Sequence, residues 1–257
     1  MLRIMIALCL FVITGVDRSV AEEITIAAAS DLNFAFREIV TEYEKTTGNH
    51  VRLALGSSGN FYAQIQNGAP FDLYFSADIA YPRKLEEAGL TVPGSLYQYA
   101  VGQIVLWTGK GSQLDFSKGL EILSQSTIRR IAIANPKHAP YGRAAVAAME
   151  QAQVYDRVKD KLVLGENISQ AAQFVESGAA DVGIIALSLA LAPPMQAAGR
   201  YWKIPADAYP PIKQGVVILT GGKNQERAKA FLSFIQGAEG QTIMRRYGFI
   251  GPGGAKP

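Results

Sequence analysis

Leu55-Gly56-Ser57-Ser58-Gly59-Asn60-Phe61-Tyr62-Ala63-Gln64-Ile65 follows an alternating run, His50-Val51-Arg52-Leu53-Ala54-Leu55, and opens a segment with apolar residues at Phe61, Ile65 and Ala69. The alternation predicts a strand and the wider spacing a helix, with a tight serine-glycine turn between them. Ser58 stands at the expected N-cap, which leaves the N–H groups of Gly59, Asn60 and Phe61 without partners inside the helix. Free N–H groups at the positive end of a helix dipole favour an anion. Gly56 and Gly59 would let the main chain approach one without a Cβ in the way. By itself, such a turn is more often an ordinary cap than an anion site.

An earlier stretch repeats the arrangement. The strand Glu23-Ile24-Thr25-Ile26-Ala27-Ala28-Ala29 runs into Ser30-Asp31-Leu32, and apolar residues at Leu32, Phe36, Ile39 and Tyr43 give the following helix one buried face, ended near Gly48. Two serines at the carboxyl ends of neighbouring strands of an α/β sheet converge on the crevice where such sheets bind ligands. Asp31 would repel an anion there, so it is expected to stabilise the helix start and point away.

Outward from these turns, Asn67-Gly68-Ala69-Pro70-Phe71-Asp72 is a turn and Leu73-Tyr74-Phe75-Ser76-Ala77-Asp78 a third strand, continuously apolar at its start as expected of a buried parallel strand. A helix from Tyr81 to Ala88 completes three strand-helix units, a doubly wound α/β arrangement. Leu96 to Thr108 is too long and apolar for one ordinary strand and is read as a crossing to a second lobe. There the alternation resumes: strand 130–134, helix 142–151, strand 161–164, helix 168–177, strand 182–186. Its turn Asn135-Pro136-Lys137-His138-Ala139-Pro140-Tyr141-Gly142 again leads from a strand into a helix, with Pro140 suited to the first turn. Pro210 to Gly215 reads as the return crossing, and helices around 228–235 and 240–247 pack back on the first lobe. The expected layout is thus lobe 1 over 22–103, lobe 2 over 104–212, a return to lobe 1 over 213–250, and a disordered tail over 251–257.

At the start, Met1-Leu2-Arg3, the apolar stretch Ile4 to Val16 and the small-residue site Ser19-Val20-Ala21 describe a secretory signal peptide over 1–21, cleaved after Ala21. Cys9, the only cysteine of the 257 residues, leaves with it, and Leu8 before it argues against a lipoprotein site. The exported chain is therefore unstapled, and long enough not to need disulfides. Losing Arg3, Asp17 and Arg18 takes the net charge from +3 to +2. That mild balance, with no Lys/Arg run, argues against a nucleic-acid partner, and no later stretch is apolar enough to cross a membrane.

Ala28-Ala29-Ser30, Gly56-Ser57-Ser58-Gly59, Gly68-Ala69-Pro70-Phe71-Asp72 with Ser76-Ala77-Asp78, Asn135-Pro136-Lys137-His138 with Gly142, and Tyr247-Gly248-Phe249 stand in an order that resembles the periplasmic molybdate-binding proteins serving ATP-driven importers. The resemblance runs from Ile24 to Phe249. It implies a two-lobed periplasmic-binding-protein fold, each lobe a doubly wound, mostly parallel sheet with helices on both faces, joined by a two-strand hinge. It implies a tetrahedral oxyanion, molybdate or tungstate, held between the lobes by neutral donors, with no direct protein ligand to the metal and no cofactor. Carried over by position, Ser30 and Ser58 would donate from hydroxyl and main chain, and Tyr141 and Ile168 from main-chain N–H groups. Some members add a tyrosine hydroxyl where this chain has Ala186, so either Tyr141, Asn60, Ser188 or a water replaces it or the site has one bond fewer. The implied partner is the permease of an ABC importer, the implied compartment the periplasm and the implied state a monomer.

Alternatives are the same fold binding sulfate, phosphate or another small anion, and a periplasmic ester hydrolase. The hydrolase needs a nucleophile with its base or a metal cluster, and no such spacing is present. His138 reads as a loop histidine held by hydrogen bonds, and Arg143 as a residue of a solvated helix face whose inward turn would instead favour phosphate or a carboxylate.

Overall fold

The computed structural model describes residues 23–252; the leader read over 1–21 and residues 253–257 of the tail lie outside the described residues. Ten strands form two five-stranded sheets. The first holds β1 (Glu23–Ala29), β2 (His50–Gly56), β3 (Leu73–Ser76), β4 (Tyr97–Gly102) and β10 (Ile212–Ile218), in the order β2-β1-β3-β10-β4. The second holds β5 (Ile104–Gly109), β6 (Ile131–Ala134), β7 (Leu162–Gly165), β8 (Val182–Ala186) and β9 (Gly199–Lys203), in the order β7-β6-β8-β5-β9. In each sheet the first three strands are parallel and the fourth, β10 or β5, is antiparallel to both its neighbours. The two sheets thus share one pattern, each borrowing its reversed strand from a crossing of the chain.

The apolar run 96–108 resolves into two strands. β4 ends the first sheet at Gly102, β5 opens the second at Ile104, and only Gln103 lies between. The return crossing leads from β9 to β10, whose register shifts at Gln214/Gly215, a bulge in its pairing with β4.

Helix Asn33–Thr47 buries Ala35, Phe36, Ile39 and Tyr43, as its spacing requires, and closes on Gly48 at φ 69°, which a glycine adopts without strain. Phe36 meets the edges of Phe75 of β3 and Phe231 of helix Gln225–Gln236, with ring centroids 4.8 and 6.2 Å away. That helix and Ala238–Arg246 supply Ala228, Phe231, Ile235, Ile243 and Met244 to the core of the first sheet, so the chain's last helices seal the lobe with which it began. β9 and the short helices Tyr155–Val158, Leu187–Ala190 and Pro193–Ala198 carry no periodic signal long enough to read from sequence.

The carboxyl ends of β1 and β2 in one lobe face those of β6, β7 and β8 in the other, and the lobes are closed on each other. All the turns discussed below follow these strand ends.

Candidate functional site

Each of three helices begins at the cleft with an N–H group that has no acceptor among the described residues. Helix Ser58–Gln66 begins with Ser58, helix Pro140–Gln151 carries Tyr141 second, and helix Ile168–Glu176 begins with Ile168. None of their three N–H groups finds an acceptor among the described residues. Ser30, Ser58, Tyr141 and Ile168 line one small cavity between the lobes. All four are buried, and no Lys, Arg or His shares its wall.

The turn after β2 differs from its reading in sequence. Its N-cap is Ser57, whose hydroxyl accepts from Asn60 N at 3.3 Å, while Ser58 is the first helical residue. Gly59 N donates to His138 O across the cleft at 2.9 Å and Phe61 N to Ser57 O at 3.1 Å. The three N–H groups expected to be free are therefore spent inside the protein, and the open one belongs to Ser58. Nor do the glycines clear a path for a ligand. A Cβ on Gly59 would fall 2.8 Å from the His138 carbonyl oxygen, and one on Gly56 2.9 Å from the Phe61 ring.

Ser58 Oγ accepts from Ala77 N at 2.9 Å, an arrangement that leaves its hydroxyl proton for a ligand. Ser30 is not a helix cap: the turn Ser30–Leu32 has no side-chain cap, and the Ser30 hydroxyl donates across the cleft to Asn167 Oδ1 at 3.1 Å and accepts from Ser169 N at 3.3 Å. Ser169 Oγ donates in turn to Ser30 O at 2.8 Å. Asn167 caps the helix that presents Ile168, accepting from Gln170 N, so Ser30 and Ile168 are braced by one amide.

Three groups were open as replacements for the tyrosine hydroxyl absent at Ala186, and each is engaged elsewhere. Tyr141 OH donates to Asp31 Oδ2 at 2.9 Å, Ser188 Oγ to Asp31 O at 2.7 Å, and Asn60 Nδ2 to Glu166 Oε1 at 3.2 Å. Asp31 itself corrects the expectation of a carboxylate turned away at a helix start. It is 1 % exposed, and burial pushes its pKa up to about 7 against the hydrogen bonds from Gln214 and Tyr141 that lower it. The Tyr141 hydroxyl is pushed up too, by burial and by Asp31, and stays a donor.

At the rim, His138 Nδ1 lies 2.9 Å from Ser57 Oγ, the hydrogen-bonded loop histidine expected. Arg143 pairs with Asp78 of the first lobe at 2.6 Å, both half-exposed, and faces a larger, open cleft lined also by Lys213, Pro210 and Pro211. The larger opening is thus the one with the cations, and the small cation-free cavity, whose wall includes Asp31, the one with the converging donors. Among the described residues no group of His, Cys, Asp and Glu could hold a metal ion.

The converging donors suit one small, fully deprotonated oxyanion. N–H and O–H dipoles and three helix starts would satisfy its oxygens, and the absence of a cation keeps it releasable. Over residues 24–250 the chain matches the family model described as bacterial extracellular solute-binding protein. The chain belongs to this family. Among the solute-binding proteins most similar to it is the molybdate-binding protein ModA of Azotobacter vinelandii, 40% identical over 89% of this chain and 90% of that protein. ModA of Rhodobacter capsulatus is also 40% identical, over 90% of this chain and 89% of its own length. The solved structure of a periplasmic molybdate-binding protein of Azotobacter vinelandii superposes with a TM-score of 0.84 at 33% identity, covering 89% of this chain and 99% of that one. The two-lobed architecture of solute-binding proteins is therefore the architecture of this chain.

Proposed function

We propose that this solute-binding protein takes up molybdate between its lobes in the periplasm and delivers it to the membrane permease of an ABC importer. The observation that carries the reading is the convergence of the Ser58, Tyr141 and Ile168 N–H groups and the Ser58 hydroxyl on one cation-free cavity. The molybdate-binding relatives, similar over nearly the whole chain, name the oxyanion. Ser30, Ser58, Tyr141 and Ile168 contact its oxygens, and the metal takes no ligand from the protein. The Ser30 hydroxyl then exchanges Asn167 for the anion. Tungstate, of the same charge and nearly the same size, binds in the same way. The role is transport and requires no catalytic group. The chain acts as a monomer, exported by the leader over 1–21, with no nucleic-acid partner.

Closure is the other half of the function. Contacts made only when the lobes meet shift the population toward the closed form, which is the form the permease reads.

Thermal unfolding of the mature chain, stripped of anions, tests the reading. Molybdate or tungstate at a hundred times its Kd adds about 2.7 kcal/mol, a rise of roughly 5–10 °C. Sulfate and phosphate at the same concentration leave the midpoint in place. A rise with sulfate or phosphate alone would keep the fold and overturn the ligand.

A further inference from the structure

Asp31 follows Ser30 directly and shares the wall of the cavity with it, and its carboxyl is held in a buried cluster drawn from both lobes. Oδ2 accepts from Tyr141 OH at 2.9 Å and from Gln214 Nε2 at 2.7 Å, and Gln214 Nε2 also donates to the Tyr141 oxygen at 2.9 Å. Ser188 holds the Asp31 carbonyl. Asp31 and Gln214 belong to the first lobe, Tyr141 and Ser188 to the second. The bulge in β10 falls at Gln214, and bulges re-aim side chains. Gly102, the last residue before the chain crosses, makes room: a Cβ there would lie 2.2 Å from the Tyr141 hydroxyl and 2.7 Å from Gln214 Nε2. The cluster therefore sits on the crossing, where the two lobes turn about each other.

Two of its oxygens are left over. Asp31 Oδ1 and Gln214 Oε1 are both buried with no hydrogen-bond partner among the described residues. Among the described residues no cation reaches the carboxyl; the other titratable groups beside it are the hydroxyls of Tyr141 and Tyr99, with Tyr209 beyond Tyr141. A carboxylate here would be an unpaired buried charge next to the residue that meets a dianion. A carboxylic acid is accommodated instead, because the Gln214 amide can present either its nitrogen or its oxygen to the carboxyl.

We propose that Asp31 is the positioning residue that holds the lobes together around the anion, and that it does so as a neutral carboxylic acid, so that closure takes up one proton. The inference rests on the oxyanion reading above. When the lobes part, water reaches the carboxyl, which ionises and gives its proton to solvent. When they close on the anion, an O–H bond forms at Asp31 with a proton from solvent. Through Tyr141 the same cluster fixes the start of the helix whose N–H points at the anion. The raised pKa of Asp31 agrees with this.

The sign follows from linkage. The closed form binds one more proton than the open form between the ordinary carboxylate range and the pKa of buried Asp31, so the Kd rises with pH across that window, by at most about tenfold per unit, and levels off above it.

Isothermal titration of molybdate at a series of pH values is the test. For the wild-type chain the Kd should rise at least about tenfold between roughly pH 5.5 and pH 7.5, and heats in buffers of different ionisation enthalpy should give uptake of about one proton. Asp31→Asn, which keeps the shape without a titrating group, should lose the slope. Asp31→Ala should bind weakly at every pH, also without a slope. A flat wild-type profile with no proton uptake overturns the proposal even if the asparagine variant does not fold, and so does a slope that survives in Asp31→Asn. Tight binding with a flat profile would leave the oxyanion reading standing, whereas no binding of molybdate at any pH would overturn both.

Discussion

The turns after β1 and β2 each carry a serine that lines the cavity, Ser30 in the first position of one and Ser58 in the second position of the other, and part company at the next residue. After Ser58 comes Gly59, whose missing side chain lets the backbone of the other lobe settle on its N–H at 2.9 Å. After Ser30 comes Asp31, whose side chain reaches into the other lobe and is buried there with Tyr141. One turn closes the protein by leaving a side chain out, the other by burying a polar one. In both, the serine lines the cavity and its successor faces the opposite lobe. Ligand chemistry and closure chemistry are thus one residue apart, and substitutions can separate them.

Gly59→Ala should have the largest effect on binding. Its Cβ would meet the His138 carbonyl oxygen, Cβ and Cα at 2.8 to 3.0 Å, two of them atoms fixed by the main chain. The clash exists only when the lobes are closed. Overpacking of this kind costs about 3 kcal/mol, so the molybdate Kd should rise roughly 150-fold. The unfolding midpoint of the ligand-free protein should move by less than about 2 °C. An equal loss of ligand-free stability would mean that Gly59 serves the fold and not closure.

The two serines sharpen the comparison. Ser58→Ala removes a hydroxyl whose proton is uncommitted and strips the buried Ala77 N–H of its acceptor. A charge-assisted bond of about 2 kcal/mol makes the loss roughly 30-fold. Ser30→Ala removes a hydroxyl that must leave Asn167 before it can serve the anion. Its net worth is about 1 kcal/mol, roughly 5-fold. The reverse order, measured by titration calorimetry, would contradict the assignment of the free proton to Ser58.

Much of this was legible in the residues. The period of two in His50–Leu55 and the spacing of Leu32, Phe36, Ile39 and Tyr43 predict strands and helices that the structure contains, because one buried face suffices to write such a signal. The long apolar run 96–108 announces a crossing because no single strand needs it. Which of two adjacent serines caps the helix was not legible, since Ser57 and Ser58 are equivalent until the backbone chooses. Nor was the fate of the Gly59 N–H, whose acceptor lies on the other lobe. Asp31 is the clearest case. Its partners Tyr141 and Gln214 are 110 and 183 positions away, and local pattern carries no trace of a contact made only when two lobes meet. The convergence of Ser30, Ser58, Tyr141 and Ile168 came from resemblance to a family, and the structure brings the four to one cavity.

The most direct test is crystallographic, with the anomalous scattering of molybdenum marking the anion in crystals of the mature protein grown with molybdate. The account predicts one peak in the small cavity, its oxygens within hydrogen-bond distance of the Ser58 hydroxyl and of the N–H groups of Ser58, Tyr141 and Ile168, with no cation in contact. A peak in the larger cleft against Arg143 and Lys213, with the small cavity empty, would contradict it.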